Sequence, residues 1–141
     1  MDVLVLVGRI LFAVLFLGSA LNHLTQTKAM TGYVESRGVP SAAAAGAVAG
    51  SGLLLLAGGL MVAVGLWADL GALLLAAFLF PTAVIMHAYW KEGDGQARQM
   101  EMVHFLKDIS LGGAALVLFA FFSYAGHDLG LTITGPLFHI D

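Results

Sequence analysis

The 141 residues are 60% hydrophobic and only 11% charged, with a mean hydropathy of +0.93, so too few polar side chains remain to cover a water-facing surface. A net charge of −3 without any basic stripe excludes a nucleic-acid partner. The absence of Cys excludes a disulfide, a thiolate metal site and a thiol relay within the chain.

The first apolar run is Val3–Leu21, interrupted only by Arg9. At ~1.5 Å per residue it covers roughly 28 Å, close to the thickness of the hydrocarbon core. Gly18-Ser19-Ala20 loosely resembles a signal-peptide cleavage site. Asp2 at the start without Lys or Arg, and the charge inside the run, favour a retained span instead. Asn22–Ser41 is polar, and Ser41 is the expected N-cap of the second helix.

The second run, Ala42–Leu66, has no charge. Trp67-Ala68-Asp69 reads as a tight turn with Trp67 at the membrane–water interface. The third run, Leu70–Ala88, contains Pro81, which predicts a kink or an opened turn. Tyr89-Trp90 forms a second interfacial aromatic pair, and Lys91–Glu101 reads as a polar loop. The fourth run is Met102–Phe122, and Ser123–Asp141 is a tail of mixed polarity without assigned structure. The expectation is an all-α, transmembrane, antiparallel four-helix bundle forming a single membrane domain over residues 1–141, with short connections.

Lys28, Arg37, Lys91 and Arg98 lie in the first and third connections, whereas Asp2, Asp69 and Asp128 lie on the opposite side. The positive-inside rule places those two connections in the cytoplasm and both termini outside.

Charge within a span costs about 2.5–3.5 kcal/mol at the bilayer centre, so the few polar residues in the apolar runs carry the functional information. Arg9 reads either as an anion or carboxylate contact or as a side chain snorkelling to the near surface. Glu101, His104 and Asp108, with Lys107 alongside, fall on one stripe of the fourth helix. That stripe predicts a polar pocket at the cytoplasmic end, against the alternative of an ordinary interfacial helix start. Asp108 is expected to pair with Arg9 or Lys107. His87, His104 and the Asn22-His23 pair lie at one level, where they would serve as interfacial hydrogen-bonders, in proton transfer, in holding a quinone headgroup, or as metal or haem ligands.

No HExxH, paired CxxC, phosphate loop, nucleotide fingerprint or nucleophile triad occurs, so no metal site and no catalytic residue is assigned. Gly46-Ala47-Val48-Ala49-Gly50 is a small-xxx-small pattern suited to close helix packing inside the bundle, or to a homodimer through the Gly46/Gly50 face.

Gly8-Arg9-Ile10-Leu11-Phe12, Phe16-Leu17-Gly18-Ser19-Ala20-Leu21-Asn22-His23-Leu24 and Tyr33-Val34-Glu35-Ser36-Arg37-Gly38-Val39-Pro40 resemble the opening of the DoxX family. Phe80-Pro81-Thr82-Ala83, His87-Ala88-Tyr89-Trp90, Gln99 to Asp108 and Leu111-Gly112-Gly113 resemble its second half. The pattern departs from the family at His23 and Asp108, where a Lys and an Asn are expected.

The resemblance implies a four-helix protein of the bacterial inner membrane, often assigned as the membrane subunit of an oxidoreductase. Relatives include the quinone-linked subunit of a thiosulfate-oxidising enzyme and a mycobacterial member associated with superoxide dismutase and a sulfurtransferase. More distant eukaryotic relatives are cargo receptors or assembly chaperones.

These readings converge on a membrane subunit of a redox system that binds a quinone or similar apolar molecule. Arg9, His87, His104, Lys107 and Asp108 would form the polar end of the site, with Phe12, Phe16, Phe78 and Phe105 as candidate apolar walls. Lys107 and His104 would donate to a carbonyl. The lipid bilayer and soluble redox enzymes are the expected partners. The alternative is a non-catalytic membrane scaffold or chaperone that anchors soluble proteins.

Overall fold

A computed structural model describes residues 1–138, and the last three positions of the tail lie outside the described residues. Five helices and no strand occur among the described residues: α1 Asp2–Thr25, α2 Thr27–Ser36, α3 Ser41–Val64, α4 Ala68–Met86 and α5 Gly95–Ala125. All but α2 are long and apolar enough to cross a membrane. Helix α1 packs antiparallel on α3, α3 on α4 and α4 on α5, so each span lies beside its sequence neighbour. The N-terminus and the described part of the tail share one end of the bundle with the α3–α4 turn, while α2 and the α4–α5 connection share the other.

The core is built from Phe16 and Ala20 of α1, Leu55 and Val62 of α3, and Ala72, Leu75 and Leu79 of α4. Leu111, Leu118 and Phe119 of α5 pack against it. Leu11, Val14, Leu53 and Val117 point outward, as lipid-facing side chains must. Helices α3 and α4 approach so closely that a Cβ at Gly71 would meet the Met61 Cβ at 2.7 Å, and one at Gly58 would meet Leu75 at 3.0 Å. Gly46 and Gly50 behave differently: nothing lies within 4 Å of a Cβ at either, so this face is not used in packing within the chain.

Sequence polarity misplaces several boundaries. The α3–α4 turn is Gly65-Leu66-Trp67, and Ala68 and Asp69 already belong to α4. Gly65 closes α3 at φ 71°, a left-handed conformation that glycine adopts without strain. Pro40, rather than Ser41, occupies the position before α3, its carbonyl accepting from the Ala43 and Ala44 N–H groups. Helix α5 opens at Gly95, well inside the expected loop, because the Asp94 carboxylate accepts from Ala97 N–H at 2.8 Å and caps it. The polar residues from Gln96 to Glu101 are therefore helical.

Helix α2 is an element that the polar reading of 22–41 did not contain. Its Met30, Tyr33 and Val34 follow i, i+3, i+4 spacing and face one cavity.

Beyond α5 the chain makes a short 3-10 turn, Gly126–Asp128, and folds back over the terminal end of the bundle. The Gly65 carbonyl accepts from Ile133 and Thr134 N–H at 3.0 and 3.1 Å. Trp67 N–H donates to the Thr134 hydroxyl at 2.8 Å. The buried Asp69 carboxylate accepts from Leu137 and Phe138 N–H at 3.0 and 2.6 Å. Asp69 thus fastens the tail instead of closing the α3–α4 turn.

Candidate functional site

The end of α4 and the start of α5 bring most of the intramembrane polarity together. Helix α4 stops at His87, and its ring turns toward α5. Glu101 accepts from the Arg37 guanidinium at 2.5 Å through Oε1. A carboxylate so paired is ionised and only accepts, so His87 Nδ1–H donates to Glu101 Oε2, 2.8 Å away. On the other side of the ring, Nε2 lies 3.6 Å from Asp108 Oδ2, within charge attraction but beyond a direct hydrogen bond. His104 stacks on His87 with 5.1 Å between ring centroids.

Lys107 Nζ stands 3.2 Å from Asp108 Oδ1. Its side chain is 44% exposed against 4% for Asp108, so the lysine caps the network from outside. Arg37 also reaches Glu92 at 2.6 Å and ties the first connection to the third. Burial works against the Arg37 charge, but hydrogen bonds to Glu92 and Tyr33 and the charge of Glu101 outweigh it and raise the pKa above the usual arginine value. Tyr89, Trp90 and Phe105 pack edge to face behind this network.

His87 also forms part of the wall of a cavity of about 510 Å³, which lies between α2, α3 and α4 and is closed at one side by His23 of α1. Tyr33, Ala47, Leu54, Phe78 and Ile85 make the wall mainly apolar. Such a volume and lining lie within the range of ordinary small-ligand pockets, roughly 300–1,000 Å³. Pro81 lines it too; α4 runs through this proline as one helix, and the missing N–H leaves the carbonyl one turn earlier without its helical donor.

His23 Nδ1 is held by the Ser51 hydroxyl at 2.8 Å and the Val48 carbonyl at 3.3 Å. Of the aromatic residues considered as walls, Phe78 lines the cavity, Phe16 and Phe12 belong to the core, and Phe105 sits in the Tyr89–Trp90 cluster.

The site residues expected from sequence therefore separate into two places. His87, His104, Lys107 and Asp108 gather at the α2 end. Of the two partners expected for Asp108, Lys107 is in place and Arg9 is not; Arg9 does not join the cluster. Arg9 is 1% exposed, and its guanidinium donates to the Leu131 carbonyl in the tail at 2.5 Å, at the opposite end of the bundle. The span of α4 between these ends, ~1.5 Å per residue, is far beyond the reach of an arginine. Arg9 Nε and Nη1 have no partner among the described residues. Arg37, Glu92 and the α2 wall were not singled out by sequence, since each lies in what reads as a solvent-exposed loop.

The DoxX family profile matches residues 4–88, well over half of the chain. The chain belongs to the DoxX family. The inner membrane protein YqjF of Escherichia coli (strain K12) is 31% identical over 117 residues, which are 83% of this chain and 82% of that protein. No solved structure matches significantly. The matched segment holds nearly all of α1, the whole of α2 to α4 and every described residue of the cavity wall, His23 and His87 included, whereas Glu101, His104 and Asp108 lie beyond it.

Proposed function

We propose that this DoxX-family protein is a multi-pass protein of the bacterial inner membrane that binds a quinone or similar apolar molecule as the membrane subunit of a redox system. The observation that carries this reading is the cavity of about 510 Å³ whose apolar wall ends at His87, an imidazole set between the carboxylates of Glu101 and Asp108. An apolar body gains from the Phe78, Ile85 and Leu54 surfaces. A polar head meets His87, which exchanges a proton with the carboxylate network behind it. His104 supports that ring by stacking, and Asp108, with Lys107 outside it, balances charge.

Arg9, at the other end, anchors the tail through the Leu131 carbonyl. Lys28, Arg37, Lys91 and Arg98 at the α2 end favour a cytoplasmic site with both termini outside. There a soluble enzyme would supply the electrons, because the chain has no Cys to relay them.

The test is ligand occupancy. Protein purified in mild detergent is extracted and analysed by mass spectrometry, and quinone binding is titrated in nanodiscs. Wild type retains or binds a quinone, and Ala77→Trp, which fills the cavity, does not. Equal binding by both proteins, or none by either, defeats the proposal.

A further inference from the structure

The hydrogen bonds around His23 fix more than its position. The Ser51 hydroxyl donates to the Val48 carbonyl at 3.0 Å, so its oxygen is left to accept. The Val48 carbonyl can only accept. Both neighbours of His23 Nδ1, at 2.8 and 3.3 Å, therefore require it to carry the hydrogen. In the neutral ring this leaves Nε2 with a lone pair, and Nε2 has no donor among the described residues. A mainly apolar cavity whose wall offers an acceptor without a donor gains from a ligand that donates to it.

We infer that the cavity selects an apolar molecule bearing a hydroxyl donor, which His23 Nε2 accepts, over the same molecule without that hydrogen. The inference rests on the ligand-binding reading above and gives the ligand its chemical class: a long-chain phenol or hydroquinone, in preference to its ether or to a fully oxidised carbonyl form. His23 then discriminates, and His87 lines the same cavity. One cavity thus presents an acceptor and a proton-exchanging imidazole.

The test uses a matched pair of probes without redox chemistry, 4-decylphenol and 4-decylanisole, titrated calorimetrically into the full-length protein in nanodiscs. Wild type binds the phenol about tenfold more tightly than the ether, the size of one good hydrogen bond. His23→Phe keeps affinity for the ether and loses most of that ratio. Ser51→Ala leaves the Val48 carbonyl to orient the ring, and so keeps the ratio. Equal affinity of wild type for the two probes overturns the inference while leaving an apolar site intact. A full ratio in His23→Phe overturns the assignment to His23, and loss of the ratio in Ser51→Ala overturns the tautomer argument. Binding of neither probe removes the ligand-binding reading and this inference together.

Discussion

His87 Nδ1 and Glu101 Oε2 lie 2.8 Å apart, joining the residue that caps α4 to the second turn of α5 across the α4–α5 connection. The same carboxylate holds Arg37 through its other oxygen. One glutamate thus locks together the first connection, the end of α4 and the start of α5.

Glu101→Gln removes the charge that both partners need. A hydrogen bond involving a charged group contributes about 1.5–3 kcal/mol. The variant is expected to unfold at lower denaturant in detergent, with a loss of about 1–2 kcal/mol once partial exposure is allowed for. It should also weaken quinone binding through the freed His87 ring. Chemical denaturation followed by circular dichroism measures the first effect, and titration measures the second.

Lys107 and Asp108 are neighbours with unequal weight. The lysine is exposed, so Lys107→Ala is expected to cost less than about 1 kcal/mol and to leave ligand affinity within a factor of about two. Asp108→Ala removes a buried carboxylate beside His87 and Lys107, and should lower both stability and affinity. Comparable losses in the two variants would mean that Lys107 reaches into the site.

The tail gives an independent readout. Asp69→Ala leaves the Leu137 and Phe138 N–H groups without their acceptor. Hydrogen exchange mapped by mass spectrometry should show lost protection in 131–138, with α3 and α4 unchanged. Arg9→Met removes the bond to the Leu131 carbonyl but also removes a buried cation that has no carboxylate partner among the described residues. Replacement of such a charge by an apolar side chain is often neutral or stabilising. The variant is expected to lie within about 1 kcal/mol of wild type while loosening the tail near Leu131.

Glycines in the spans divide by what surrounds them. Gly71→Ala forces a Cβ against Met61 and the Gly58 carbonyl, and should destabilise by about 1–3 kcal/mol. Gly46→Ala meets open space and removes a flexible residue from a helix, so stability should hold or rise by up to about 1 kcal/mol. Thermal unfolding of the two variants in the same detergent gives the comparison.

Hydropathy and composition alone carried the four spans, because a lipid solvent leaves the chain little choice but apolar helices. The clustering of His87, His104, Lys107 and Asp108 was legible too, from helical spacing in α5 and the level of the α4 terminus. Arg9 shows where the reading stops. A charge inside an apolar run announces that it needs a partner, but not which end of a neighbouring element provides one, and here a backbone carbonyl of the tail does so.

Helix α2 hid for a different reason. Its Met30, Tyr33 and Val34 were spaced for a helix face, but the surrounding Thr, Lys and Glu residues matched a polar connection equally well. The His23 tautomer was beyond sequence altogether, since it depends on Ser51 and Val48 of another helix.

Photo-crosslinking tests directly whether an apolar molecule lies in this cavity with its polar head at His87. A quinone carrying a diazirine on its alkyl tail is irradiated with the protein in nanodiscs, and adducts are located by peptide mass spectrometry. Adducts confined to Tyr33, Phe78, Ile85 and Met86, and lost in Ala77→Trp, are the predicted result. Adducts spread over Leu11, Val14 and Leu53 on the lipid-facing surface, unchanged by Ala77→Trp, would contradict it.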